Sequence, residues 1–270
     1  MMEVNGVSYH LETIGNGPKK LLWLHGFTGK GNNFKEALTF FENHDEYTFI
    51  LLDFLGHGNS SIPADSGRYS MENTVEDIRA ILDEMQITKI FLVGYSMGGR
   101  VALAFSATYP SYVEKLVLES ASPGLRKEEE RLDRTKADKR LAERILHDGL
   151  EAFVEHWTNI PLFQTQKLLS EDRQLQIKEQ RLQNSPIGLA NSLSGLGTGS
   201  QPSYWERLED CKIMVLLLAG EDDKKFVLIA EKMERLMKNA QYVKISGAGH
   251  AIHVEQPRKF GKIVSEFLSN

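Results

Sequence analysis

One cysteine, Cys211, stands in 270 residues, so the chain can close no internal disulfide and supply no multi-cysteine metal cluster, which points to a reducing, cytoplasmic compartment. No run of about 20 uncharged apolar residues occurs, and the start, "MMEVNGVSYHLET", lacks a basic flank leading into an apolar stretch. Neither a membrane span nor an export signal is expected. A basic excess is missing too: 32 Lys and Arg against 37 Asp and Glu give a formal charge of -5, which speaks against nucleic acid or an anionic membrane surface as partner. There is no internal repeat and no low-complexity tract. The glycines of "GLGTGSQPSYW" follow no strand and miss the G-x-G-x-x-G spacing, so they read as a hinge and not as a dinucleotide fingerprint. His57 in "DFLGHGNSS" has no partner at ligand spacing; neither metal nor cofactor is expected, and the chain reads as a monomer or weak homo-oligomer.

What is present is 41% hydrophobic residues, enough for one large core with or without an inserted subdomain. Short apolar runs recur at 21 to 24, 49 to 54, 89 to 94, 115 to 120, 213 to 220 and 242 to 246. Their continuous apolarity is that of strands in a parallel sheet covered on both faces, and helical patterns such as "MENTVEDIRAILDEM" separate several of them. The class is therefore α/β. The Asn5-Gly6 pair predicts an antiparallel hairpin at the sheet edge. From about 125 to 205 the pattern turns charged and helical, without strands. The expected organisation is a core over 1–125, a helical cap inserted over 126–205, and the rest of the core over 206–270.

"GYSMGG" follows the apolar run ending at Val93 and leads into a helical stretch. In such a G-x-S-x-G turn the serine sits on a strained strand-to-helix corner, glycines clear the space around it, and its hydroxyl stands above the sheet edge. Ser96 is the candidate reactive oxygen. It needs a base, and two histidines follow the last strand, His250 and His253, in "GAGHAIHVEQP". "AGEDDKKF" offers Glu221, Asp222 and Asp223 as the orienting acid, of which the usual G-x-x-D spacing selects Asp223. "LHGFTG" places Phe27 just past an early strand, where its amide and that of Met97 would form an oxyanion hole, with Gly26 permitting close approach and His25 a structural loop residue. Arg100 lies one helical turn beyond Ser96 and can face the site.

With these pieces in order, the chain resembles the α/β-hydrolase superfamily, a mostly parallel twisted sheet flanked by helices with an inserted helical cap. Through "LHGFTG", "GYSMGGR", "ESASPGL", "GTGSQPS" and "GAGHAIHVEQP" it resembles the 2-succinyl-6-hydroxy-2,4-cyclohexadiene-1-carboxylate synthase family of menaquinone biosynthesis. The resemblance selects His250 as base and leaves His253 a structural role. It implies a small polyanionic carboxylate substrate that loses pyruvate, held by Arg100, Arg134 and Arg181, with Tyr95 and Trp157 in the pocket. It also implies that Ser96 acts as a base in an elimination. A serine carboxylesterase or a C-C bond hydrolase is the alternative, since the serine turn does not distinguish a nucleophile from a base.

Overall fold

The computed structural model describes residues 1–270, arranged as nine strands and nine α-helices with short 3-10 turns between them. β1 (Met2–Val4) and β2 (Val7–Tyr9) form the hairpin that Asn5-Gly6 predicts, both turn residues taking positive φ, 50° and 77°. The hairpin is not the edge of the main sheet, as the sequence leads one to expect, but a separate two-stranded ribbon. His10 ends its pairing: the His10 N–H goes to Ser60 Oγ (2.8 Å) and its carbonyl accepts from Asp53 (3.0 Å). The edge falls to β3 (Leu11–Ile14), antiparallel to β5 (Tyr47–Leu52).

The other strands, β4 (Lys19–Leu24), β6 (Ile90–Tyr95), β7 (Val113–Glu119), β8 (Met214–Gly220) and β9 (Ala240–Ile245), complete a seven-stranded sheet of order β3-β5-β4-β6-β7-β8-β9, parallel except at β3. Alternate side chains of each strand enter opposite layers. Leu22, Leu24, Leu92 and Leu116 pack with α2 (Met71–Glu84), α3 (Met97–Thr108) and α7 (Lys224–Leu236), while Leu21, Trp23, Val93 and Val117 pack with α1 (Lys35–Leu38) and α9 (Pro257–Ser269). Burial on both faces explains why the inner strands read as continuous apolar runs, whereas the edge strands β3 and β9 are only half-buried. Strand order reverses between β4 and β6, so the loops leaving their carboxyl ends diverge and open a crevice there. Those loops begin with His25 and Ser96.

Between β7 and β8 the chain leaves the sheet and builds α4 (Glu128–Thr158), α5 (Glu171–Leu182) and α6 (Pro186–Leu196), with a small apolar core of their own around Ile145, Val154 and Leu189. α4 bends at Gly149, whose φ of 86° and ψ of 169° interrupt the helix. The return segment departs from the hinge reading. A Cβ on Gly199 would stand 2.4 Å from the Thr135 backbone nitrogen, and one on Gly195 2.6 Å from the Tyr69 backbone. These glycines seat the returning chain tightly against α4 and the core. α8 (Ile252–Glu255) precedes α9, and no helix is long and apolar enough to cross a membrane.

Candidate active site

Ser96 sits between β6 and α3 with φ 51° and ψ -107°, outside the regions an L-residue favours. The strain is held by close packing on either side. A Cβ on Gly98 would lie 2.1 Å from the Leu24 carbonyl oxygen, and one on Gly94 2.5 Å from that of Gly98, so only glycine lets β4, β6 and α3 meet here. The Ser96 N–H donates to the Glu119 carbonyl on β7 (2.9 Å), and the Ser96 carbonyl receives the Arg100 N–H (3.0 Å). The hydroxyl is thereby fixed above the sheet's carboxyl edge.

His250 Nε2 lies 3.0 Å from Ser96 Oγ, and His250 Nδ1 lies 2.6 Å from Asp223 Oδ2. In the neutral ring Nδ1–H donates to the carboxylate and Nε2 accepts the serine proton. Asp223, not the exposed Asp222, reaches the imidazole, because it caps α7 by accepting the Phe226 N–H (3.3 Å) through its other oxygen. His250 is 2% exposed, which leaves its proton two partners and almost no water. The loop carrying it is gripped by a residue that sequence reasoning passed over. Glu255 accepts the Gly249 N–H (2.7 Å) and the Ala251 N–H (3.4 Å), one on each side of the histidine. Burial raises the Glu255 pKa, opposed by these hydrogen bonds.

His253 faces away from Ser96. Its Nδ1 lies 2.9 Å from the buried Glu119 carboxylate, and its backbone N–H donates to the same group (3.0 Å), which ties α8 to β7. His25 is likewise structural: Nδ1 donates to the Gly26 carbonyl (2.8 Å), Nε2 accepts the Phe54 N–H (3.0 Å), and burial lowers its pKa. Burial pushes His57 down to about 3, so this ring stays neutral beside His25. The Gly26 carbonyl accepts from Gly29 (3.0 Å) in a turn in which Thr28 takes φ 66°. That turn leaves the Phe27 N–H without an acceptor within the chain. Met97, the first residue of α3, has no intrahelical acceptor for its own N–H. Two unclaimed donors therefore belong to the two loops that meet at the crevice.

A cavity of about 200 Å³ lies over Ser96 and His250, between the sheet and the cap. Arg100, Arg134 and Lys225 line it, and no aspartate or glutamate does. Arg100 is buried and bound only by neutral acceptors, Gln201 Oε1 and the Leu196 carbonyl, each at 2.6 Å. Desolvation, reinforced by Arg134, pulls its pKa down to about 10. Arg134 on α4 keeps one pairing, from Nε to Asp138 Oδ1 (2.7 Å). Tyr95 and Trp157 also line the cavity. Trp157 stands edge-to-face with Phe27 at 5.5 Å, and its buried Nε1–H has no partner.

Arg181 departs from the convergence expected of the three arginines. Its guanidinium donates to Thr158 Oγ1 (2.9 Å) and Gln166 Oε1 (3.1 Å), lies 4.6 Å from the centre of the Phe163 ring, and borders a smaller adjoining cavity behind Tyr95 and Phe163. There it also lacks a carboxylate partner, and burial pulls its pKa to about 10. Lys225, by contrast, was not a candidate on sequence, being one of two adjacent lysines that open an ordinary amphipathic helix.

A family model described as the alpha/beta hydrolase fold matches residues 20–257. A Bacillus subtilis (strain 168) protein provisionally named 2-succinyl-6-hydroxy-2,4-cyclohexadiene-1-carboxylate synthase is 47% identical over 268 residues, 98% of this chain and 96% of that protein. A Salmonella typhimurium (strain LT2) protein bearing that name without qualification is 32% identical over 242 residues, 89% of this chain and 90% of its own. The solved structure of MenH from S. aureus superposes with a TM-score of 0.91 at 36% identity, covering 96% of this chain and 98% of that one.

Proposed function

The chain belongs to the α/β-hydrolase fold family and, within it, to the 2-succinyl-6-hydroxy-2,4-cyclohexadiene-1-carboxylate synthases, and from that premise we propose that it is a carbon-oxygen lyase of menaquinone biosynthesis. Its reaction is the loss of pyruvate from 2-succinyl-5-enolpyruvyl-6-hydroxy-3-cyclohexene-1-carboxylate. The observation that carries this reading is the charge of the cavity wall: Arg100, Arg134 and Lys225 line it and no carboxylate does, with Asp223 turned to His250 and only Arg134 holding an acidic partner, Asp138, in a chain of net charge -5. A buried guanidinium without a carboxylate partner is costly in the free protein, and that cost is offset when a carboxylate of the ligand arrives. A neutral ester offers nothing to offset it.

In this mechanism His250, oriented by Asp223, takes the Ser96 hydroxyl proton, and the alkoxide removes the ring proton next to the succinyl ketone. The electrons move into a dienolate whose oxygen lies against the Phe27 and Met97 amides. They return through the ring to break the carbon-oxygen bond, and the departing enolate gains one proton to become pyruvate. No water is consumed and no acyl-enzyme forms. Each amide donor of such a hole contributes about 3 kcal/mol to the transition state. Trp157 and Phe163 cover the cavity from the cap side, and expulsion of water by the bound substrate would strengthen the charge interactions inside it.

The test is to supply the enolpyruvyl cyclohexene, follow pyruvate with a coupled dehydrogenase and the diene by absorbance, and run p-nitrophenyl acetate in parallel. Equimolar pyruvate and diene are expected. Rapid ester turnover without pyruvate would transfer the assignment to a carboxylesterase.

A further inference from the structure

Ser120, the residue after β7, combines two penalties, a backbone angle that only glycine would relieve and a hydroxyl that alanine would remove. Its φ is 47°, in the left-handed region, and its hydroxyl, on a residue 1% exposed, has no hydrogen-bond partner. Both features are held in place. The Ser120 N–H donates to the Leu218 carbonyl on β8 (2.8 Å), and the preceding Glu119 carbonyl holds the Ser96 N–H (2.9 Å), so Ser120 is anchored beside the reactive serine. The other serines of the cavity differ. Ser122 Oγ accepts the Gly124 N–H (3.4 Å) and Ser192 Oγ lies 3.6 Å from Met97 Sδ. Strain and an orphan polar group in one residue, inside a ligand cavity, are the marks of a group reserved for a ligand.

Lys225, a solvent-exposed residue of α7, also lines this cavity. Its ammonium enters none of the lysine ion pairs of the structure, which involve Lys19, Lys35, Lys136 and Lys178. Its neighbour is the Phe226 ring, 5.5 Å from the centroid. Phe226 in turn lies 4.7 Å from the His250 ring, which places this corner of the cavity next to the reacting groups.

We propose that the Ser120 hydroxyl and the Lys225 ammonium form a carboxylate subsite, distinct from the Arg100–Arg134 pair and carried by different elements of the fold. It rests on the polyanion reading above and deepens it: one carboxylate of the substrate receives the Ser120 O–H and the Lys225 charge, while another meets Arg100 and Arg134. A carboxylate has about four acceptor positions, so a hydroxyl and an ammonium can share it. Ser120 is then a specificity residue and takes no part in the proton transfers.

The experiment compares the unaltered protein with Ser120→Ala, Lys225→Met and the double variant. Three readouts are taken: KM and kcat for pyruvate release, affinity for tricarballylate by titration calorimetry, and the Tm of the free protein. Ser120→Ala should raise KM about tenfold, the usual worth of one hydrogen bond to a charged group, with kcat within about threefold. Its Tm should stay level or rise, since a hydroxyl that nothing satisfies has gone. Lys225→Met should raise KM as well, and the double variant should lose less than the product of the two because both act on one carboxylate. Tricarballylate affinity should fall in parallel. An unchanged KM and tricarballylate affinity in Ser120→Ala would overturn the subsite, as would a lowered Tm, which would mean that ordered water or the fold itself uses the hydroxyl. If the unaltered protein released no pyruvate, the lyase reading would fall, and the tricarballylate titration would still decide the subsite by itself.

Discussion

Replacing Arg100 by Met isolates what a buried, unpaired cation does here. In the free protein, burial pulls this guanidinium down from its ordinary value to about 10. At about 1.4 kcal/mol for each tenfold change, that is about 3 kcal/mol against the charged form, which methionine removes. The substitution also strips the Gln201 Oε1 and Leu196 carbonyl acceptors of a donor that stood 2.6 Å from each. Each acceptor so abandoned costs about 1–3 kcal/mol. The two sides largely cancel, and for a chain of this size each kcal/mol moves Tm by about 2–4 °C, so Tm should change by only a few degrees. Binding has no such compensation. Losing one partner of a desolvated, hydrogen-bonded charge pair costs about 2–5 kcal/mol, and about 3 kcal/mol corresponds to about a 150-fold fall in kcat/KM. Pyruvate release by Arg100→Met, with circular dichroism melting alongside, measures both quantities. A fall in kcat/KM of less than about threefold with Tm preserved would refute the idea that Arg100 waits uncompensated for a carboxylate.

Further outcomes follow from the same geometry. Ser96→Ala should lower kcat by about a thousandfold or more while tricarballylate affinity stays within about twofold, since the alcohol transfers protons and does not hold the ligand. Asp223→Asn should lower kcat by about 10²–10⁴-fold, because an amide can present its N–H to His250 Nδ1 and turn the imidazole to the wrong tautomer; a pre-steady-state rate within tenfold of the parent would count against this. Glu255→Gln keeps one acceptor oxygen for two backbone N–H groups, so kcat should drop about tenfold with KM unchanged. KM for the polyanion should be flat below about pH 9 and rise as the pH passes the Arg100 value of about 10, a limb that Arg100→Met lacks. The sign for stability is opposite. A base whose folded pKa is depressed burdens the fold fully below about pH 10, and that burden is relieved only as the pH rises from there towards the higher value of the unfolded chain.

Much of this was legible in the residues, for identifiable reasons. Of the six strands read from the sequence, five announced themselves because both faces of the sheet are buried there, the half-exposed edge strand β9 being the exception, and the Ser96 corner because its glycines are packed against Leu24 and Gly98. Asp223 was chosen over Asp222 by its G-x-x-D spacing from Gly220, and the fold gives that spacing its physical content, since Asp223 caps α7 with one oxygen and meets His250 with the other. What stayed hidden depends on tertiary contact. The edge strand was misread because the break at His10 depends on Ser60 and Asp53, about 40 to 50 positions away. Arg181 could not be separated from Arg100 and Arg134 by spacing alone, since Tyr95 and Phe163 lie between the two cavities only in the fold. Ser120, Lys225 and Glu255 carry no local signature: an orphan hydroxyl, an unpaired ammonium and a carboxylate gripping a loop are defined by their surroundings.

The central claim is that Ser96 works as a proton acceptor and not as a nucleophile. Single-turnover pyruvate release from substrate deuterated at the ring carbon beside the succinyl ketone, with the quenched protein weighed by mass spectrometry, tests it most directly. A primary isotope effect on pyruvate formation and no added mass on the protein are the predicted result. An adduct on Ser96 that forms and decays with turnover, with no isotope effect, would contradict it.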